Sequence, residues 1–111
     1  MKTKFYSDRV ALYVPSTTET NKATDNGTQV QRVLTEFCQM YGGATATQAA
    51  GGWLSKSAGL VVESVTIIYA YCTRKARRAN MRRLLALAAS IREDMRQEAV
   101  TIEVNNKIAF I

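Results

Sequence analysis

"LVVESVTIIYAYC", Leu60–Cys72, decides the fold. It is dense in β-branched and aromatic residues, which crowd a helical turn but pack well on a pleated surface, so it predicts a strand. Side chains alternate along a strand. That puts Val62, Ser64, Thr66, Ile68 and Ala70 on one face, and Val61, Glu63, Val65, Ile67, Tyr69 and Tyr71 on the other. Neither face is strongly polar, which predicts cover on both, by a helix or by another subunit.

Working outward, "ATATQAAGGWL" (Ala44–Leu54) precedes this strand and is separated from it by the turn-like "SKSAG", so the two read as paired strands. Before them Val30, Val33, Leu34, Phe37, Cys38 and Tyr41 recur at helical spacing and form one apolar face. The spacing predicts a helix over 26–41. Thr24, Asp25 or Asn26 can cap it, and Gly42–Gly43 stops it. "RVALYV" (Arg9–Val14) alternates and reads as a first strand ended by Pro15. The stretch 15–28 is polar and punctuated by glycine, which predicts a flexible loop.

On the other side a second helix is expected from about Ala76 to Gln97, with Met81, Leu84, Leu85, Ala88, Ile91 and Met95 as its apolar stripe. "AVTIEV" and "KIAFI" then read as strands joined at Asn105–Asn106, residue types that accept the positive φ of a tight turn. The order β-α-β-β-α-β with one short extra strand predicts a single α+β domain over 1–111. The expected architecture is a ferredoxin-like split βαβ sandwich, two helices on one face of an antiparallel sheet, with a C-terminal β-hairpin.

The strand "ALYV" (Ala11–Val14), the "GGWL" turn (Gly51–Leu54), "GLVVES" (Gly59–Ser64) and "QEAV" (Gln97–Val100) together resemble a family of small bacterial proteins of unknown function. The resemblance implies the same fold. It carries no catalytic residues to transfer.

The 111 residues, 47% of them apolar and 22% charged, have the composition of an ordinary globular domain. The opening "MKTKFYSDRV" has no apolar leader core, and no run approaches the ~18 apolar residues of a membrane span, so a soluble, cytoplasmic protein is expected. Cys38 and Cys72 lack metal or redox spacing and read as buried free thiols. The chain contains no histidine, the commonest general base and metal ligand near neutral pH. No phosphate loop, dinucleotide fingerprint or nucleophile elbow appears either. Glu36, Glu63, Glu93, Asp94, Glu98 and Glu103 could include a working carboxylate, but nothing in the sequence pairs two of them on a buried face. No catalytic residue, metal or cofactor is assigned, and a non-enzymatic protein is expected, with a histidine-free enzyme as the residual reading. Trp53 is expected in the core, since tryptophan is highly buried on average.

The net charge of +6 is unevenly spread: six basic and five acidic residues lie before Ser64, nine and four after it. Most of the excess sits in "CTRKARRANMRR", where Arg74, Lys75, Arg77, Arg78, Arg82 and Arg83 crowd the start of the second helix. Positive charge at a helix N-terminus and like-charged i, i+4 pairs are both disfavoured, so stability alone would not select this arrangement, and a docked anion would reverse both effects. Guanidinium groups also suit two-point recognition of phosphate or carboxylate. The expected function is therefore recognition of a phosphate-bearing partner: nucleic acid, nucleotide or nucleoprotein complex. The alternative is a small inhibitor or adaptor, of the kind a phage or plasmid encodes, docking on an acidic protein. Ile67, Tyr69 and Tyr71 share a strand face and are the expected contacts of a homodimer.

Overall fold

The computed structural model describes residues 3–18 and 22–111. Its elements are β1 (Asp8–Pro15), β2 (Thr17–Thr18), β3 (Lys22–Ala23), α1 (Gly27–Tyr41), β4 (Thr45–Ser55), β5 (Gly59–Cys72), α2 (Arg74–Ala79), α3 (Met81–Asp94), β6 (Thr101–Val104) and β7 (Lys107–Phe110). Five strands form one sheet in the order β4-β5-β1-β6-β7, and every pairing in it is antiparallel. Within the polar stretch after Pro15, β2 pairs with β3; residues 19–21 of that stretch lie outside the described residues.

One face of the sheet makes the core. Val10, Leu12 and Val14 of β1, Ile68, Ala70 and Cys72 of β5, and Ile102 of β6 pack against Val33, Phe37 and Met40 of α1 and Leu84, Leu87, Ala88 and Ile91 of α3. Burial of these apolar groups is the main stabilising contribution. Cys72 joins this core and its thiol pKa is pushed up by burial, whereas Cys38 is exposed, contrary to the expectation of two buried thiols. Phe37, its neighbour, takes the inward position instead.

Helix α1 ends as its glycines predict: Gly42 is left-handed at φ 91°, and its N–H donates to the Cys38 carbonyl at 2.9 Å. The second helix differs from the expected single helix over 76–97. It begins earlier, at Arg74, where the Thr73 hydroxyl accepts from the Ala76 N–H at 3.1 Å, and it breaks at Asn80. There the Asn80 side-chain amide donates to the carbonyls of Ala76 (2.8 Å) and Met40 (3.1 Å), fastening the break to the end of α1. Asparagine competes well with regular helix in this way.

β1 pairs with β5 only from Asp8↔Cys72 to Pro15↔Val65, while β4 follows β5 out to Ser55↔Gly59. The β4–β5 hairpin therefore runs on past the rest of the sheet as a two-stranded arm, and the molecule measures 56 × 23 × 20 Å along its principal axes. Trp53 sits on this arm, 52% exposed, and not in the core.

Candidate active site

Directly opposed residues of an antiparallel sheet point to the same face. The register therefore carries a second surface across the sheet, away from the helices: Trp53 and Gly51 of β4, the alternate residues from Glu63 to Tyr71 of β5, Arg9 and Tyr13 of β1, Glu103 of β6 and Phe110 of β7. Several clefts open along it, two of them lined by three or more aromatic side chains.

The larger has a volume of about 660 Å³ and lies where the arm leaves the sheet. Its aromatic walls are Trp53, Tyr13 and Phe110, and Glu63 is the one carboxylate among the described residues lining it. Gly51 lies directly across from Glu63 in the pairing. A Cβ at Gly51 would meet nothing within 4 Å, so the missing side chain opens space in the cleft and relieves no clash inside the fold. The other wall is tied down by Gln97, whose side-chain amide donates to the Thr17 carbonyl at 2.6 Å, and by reciprocal backbone bonds between Val100 and Ile111.

Tyr13 is held by a short chain of polar contacts. Its hydroxyl donates to one Glu103 carboxylate oxygen at 3.2 Å, and Arg9 Nε donates to the other at 3.2 Å. The Arg9 guanidinium lies over the Tyr69 ring, 4.4 Å from its centroid, and 5.8 Å from that of Tyr71. Burial first, and the hydrogen bond to Glu103 second, raise the Tyr13 pKa, so its phenol keeps its proton at neutral pH.

The smaller cleft, about 310 Å³, lies at the opposite end of the same strands, beside the Gly42–Gly43 turn. Tyr6, Tyr41, Tyr69 and Tyr71 line it, and no acidic side chain among the described residues does.

The six basic residues expected to form an anion site stand on α2 and α3, on the helical side, and line neither cleft. Arg77 is neutralised by Asp8 (2.6 Å), and Arg83 by Glu36 (3.3 Å) with a further bond to Gln39. Arg74, Lys75, Arg78 and Arg82 are exposed and make no ion pair among the described residues. The run is thus partly spent on holding α2 to β1 and α3 to α1. Ile67, Tyr69 and Tyr71 do share the sheet's second face, with Tyr69 and Tyr71 already in contact with Arg9. Sequence reading missed Trp53 and Gly51 as cleft residues. The signal was available: counting back from the "SKSAG" turn sets Ser55 opposite Gly59, and Gly51 opposite Glu63 follows.

No family model matches the chain and no curated protein is similar to it, so the resemblance to a bacterial family of unknown function finds no support. Among solved structures, phage SAM lyase in complex with S-methyl-5'-thioadenosine matches at a TM-score of 0.65 and 16% identity, over 100% of this chain and 93% of that one. In fold, the chain is similar to phage SAM lyase. The apo state of that enzyme matches at a TM-score of 0.66 and 18% identity, over 100% of this chain and 94% of that one. This comparison overturns the expectation of a non-enzymatic protein that recognises phosphate or docks as an inhibitor: the full-length likeness is to an enzyme, and to neither a nucleic-acid binder nor an inhibitor. The basic run is conspicuous by its charge, whereas the larger cleft is lined by aromatic and small residues, two threonines, a serine and one glutamate.

Proposed function

We propose that the protein is a lyase acting on SAM, S-adenosylmethionine, and releasing S-methyl-5'-thioadenosine, with the larger cleft as its active site. The observation that carries this reading is the full-length likeness to a SAM lyase. The reading extends to the architecture: we take β4-β5-β1-β6 with its helices as a ferredoxin-like split βαβ sandwich, and β7 as an added edge strand.

The cleft's chemistry supports the choice between the two openings. At about 660 Å³ it falls in the ~300–1,000 Å³ range of small-molecule sites, and its aromatic walls suit an adenine ring. SAM carries a sulfonium and an ammonium, both positive. Glu63 answers that charge, and the indole face of Trp53 attracts a cation as well. The smaller, tyrosine-lined cleft offers no carboxylate among the described residues.

Cleavage breaks the bond from sulfur to the methionine side chain, and the electron pair goes to sulfur, which becomes a neutral thioether. The substrate's own carboxylate can attack the carbon that sulfur leaves, closing a five-membered lactone. Atoms and charge balance with no water consumed and no proton moved, which suits a chain that has no histidine. Because opposite charges annihilate in that step, an apolar cleft that excludes water favours it. A carboxylate held against sulfur would lose its partner as the bond breaks, and would thus stabilise the substrate more than the transition state. Glu63 is therefore assigned to the ammonium, whose charge persists, and its role is to bind and orient.

The test is incubation of the purified protein with SAM, following S-methyl-5'-thioadenosine by chromatography. The thioadenosine should form well above the protein-free rate, and Glu63→Gln should lower kcat/KM by about tenfold to a hundredfold, the worth of a charge-assisted hydrogen bond, with an unchanged melting temperature. No release above the protein-free control contradicts the assignment.

A further inference from the structure

We infer that Glu103 is a positioning residue that sets the polarity of Tyr13, turning the larger cleft into one that selects a cationic sulfonium over the neutral thioether of the same nucleoside. This deepens the lyase reading and rests on it for the identity of the substrate.

Donors and acceptors can be matched here in one way only. Arg9 has only donors, and its Nε spends one on Glu103 at 3.2 Å. An ionised carboxylate has only acceptors, so the remaining Glu103 oxygen can meet the Tyr13 hydroxyl, also at 3.2 Å, in one sense alone: the phenol donates. The single O–H proton of Tyr13 is thereby committed to Glu103. What the oxygen has left is lone-pair density, and Tyr13 lines the cleft. We take that oxygen to face the cleft as an acceptor, where it favours a positively charged neighbour and offers nothing to a group that needs a donor.

The arrangement is braced at its far end. Glu103 has a side-chain exposure of 17%, and the guanidinium that neutralises it stacks on Tyr69. Burial together with the Glu103 bond keeps the Tyr13 phenol protonated at neutral pH, so the polarity is fixed. The acceptor serves selection and product release, and not the bond-breaking step. Once sulfur has become neutral, the acceptor has lost its partner and the product is held less tightly than the substrate.

Glu103→Gln tests the inference because it keeps shape and reverses polarity. Arg9 still demands the carbonyl oxygen of the new side chain, which leaves the NH₂ facing Tyr13; Tyr13 must then accept, and its O–H turns outward as a donor. The experiment measures KM for SAM and Ki for S-adenosylhomocysteine, its neutral thioether counterpart. In Glu103→Gln the KM should rise about tenfold or more, the size expected for a hydrogen bond to a charged group, while Ki stays the same or falls. Tyr13→Phe should raise KM likewise and leave Ki unchanged. Glu103→Asp, which retains an acceptor-only carboxylate, should keep the preference for the sulfonium. A rise of both constants by the same factor, or of neither, overturns the inference, and Tyr13→Phe decides the matter on the same two constants if the glutamine variant does not fold. If the unaltered protein produces no thioadenosine, the lyase reading fails separately, and calorimetric affinities for the same two nucleosides read the preference: its loss in Glu103→Gln supports the inference, its persistence overturns it.

Discussion

Tyr41 shows how one side chain can be neutral in one condition and a liability in another. Its ring packs edge-on against Phe37, with centroids 5.2 Å apart, yet its hydroxyl is buried with no hydrogen-bond partner among the described residues. An unmet buried hydroxyl costs about 1–3 kcal/mol, so Tyr41→Phe should leave stability at pH 7 unchanged or raise it, as read by urea unfolding. Burial also pushes the Tyr41 pKa well above its ordinary value. A raised acid pKa means that the unfolded chain ionises first, so stability is full below about pH 10 and declines as pH climbs above it. Tyr41→Phe should therefore gain on the parent protein progressively above about pH 10; a gap that does not widen with pH contradicts the assignment. At this scale the sequence was a poor guide. Arg77 and Arg83 looked like neighbours in one anion site, but their partners, Asp8 and Glu36, are supplied by β1 and α1, far away along the chain. Nothing in local spacing announces a pair of that kind.

Among the elements, the five strands of the main sheet and α1 were legible, the short strands β2 and β3 were not, and the second helix was only partly so. β5 was written in its branched and aromatic residues, and α1 in a repeat that keeps Val33 and Phe37 on one side. The break at Asn80 was not, because alanine, arginine and leucine on both sides all favour helix and the cause of the break is tertiary: a bond to the Met40 carbonyl at 3.1 Å. Asn80→Ala should remove two side-chain hydrogen bonds to carbonyls and cost roughly 1–3 kcal/mol, seen as a lowered urea midpoint with unchanged slope. A variant as stable as the parent would show that the break is set by the surrounding packing and not by the asparagine. The same limit hid the cleft. Trp53 was read from an average tendency toward burial, whereas its place is fixed by how far β4 follows β5 beyond the end of β1.

The whole molecule divides labour between the two faces of one sheet. The helical face holds the apolar core, and the other face, continued by the arm, holds the aromatic rings, Glu63, and the Arg9–Glu103–Tyr13 chain. Composition reports the first division well, because alternation along a strand follows directly from which side meets the core. It reports the second badly, because a site assembled from five strands has no contiguous signature, and an unusual cluster of charge elsewhere draws the eye. Gly51 offers the cleanest way to separate fold from function. The space beside it is open, so Gly51→Leu should fill the cleft opposite Glu63 and leave the melting temperature within a few degrees of the parent, the range of surface substitutions. The decisive measurement is the rate of S-methyl-5'-thioadenosine release from SAM by the parent protein and by Gly51→Leu, with folding of both verified by circular dichroism. A cleft-centred lyase predicts release by the parent and a loss of at least about a hundredfold in the folded variant, as for other displacements within a reacting site. Equal rates from the two proteins would contradict it.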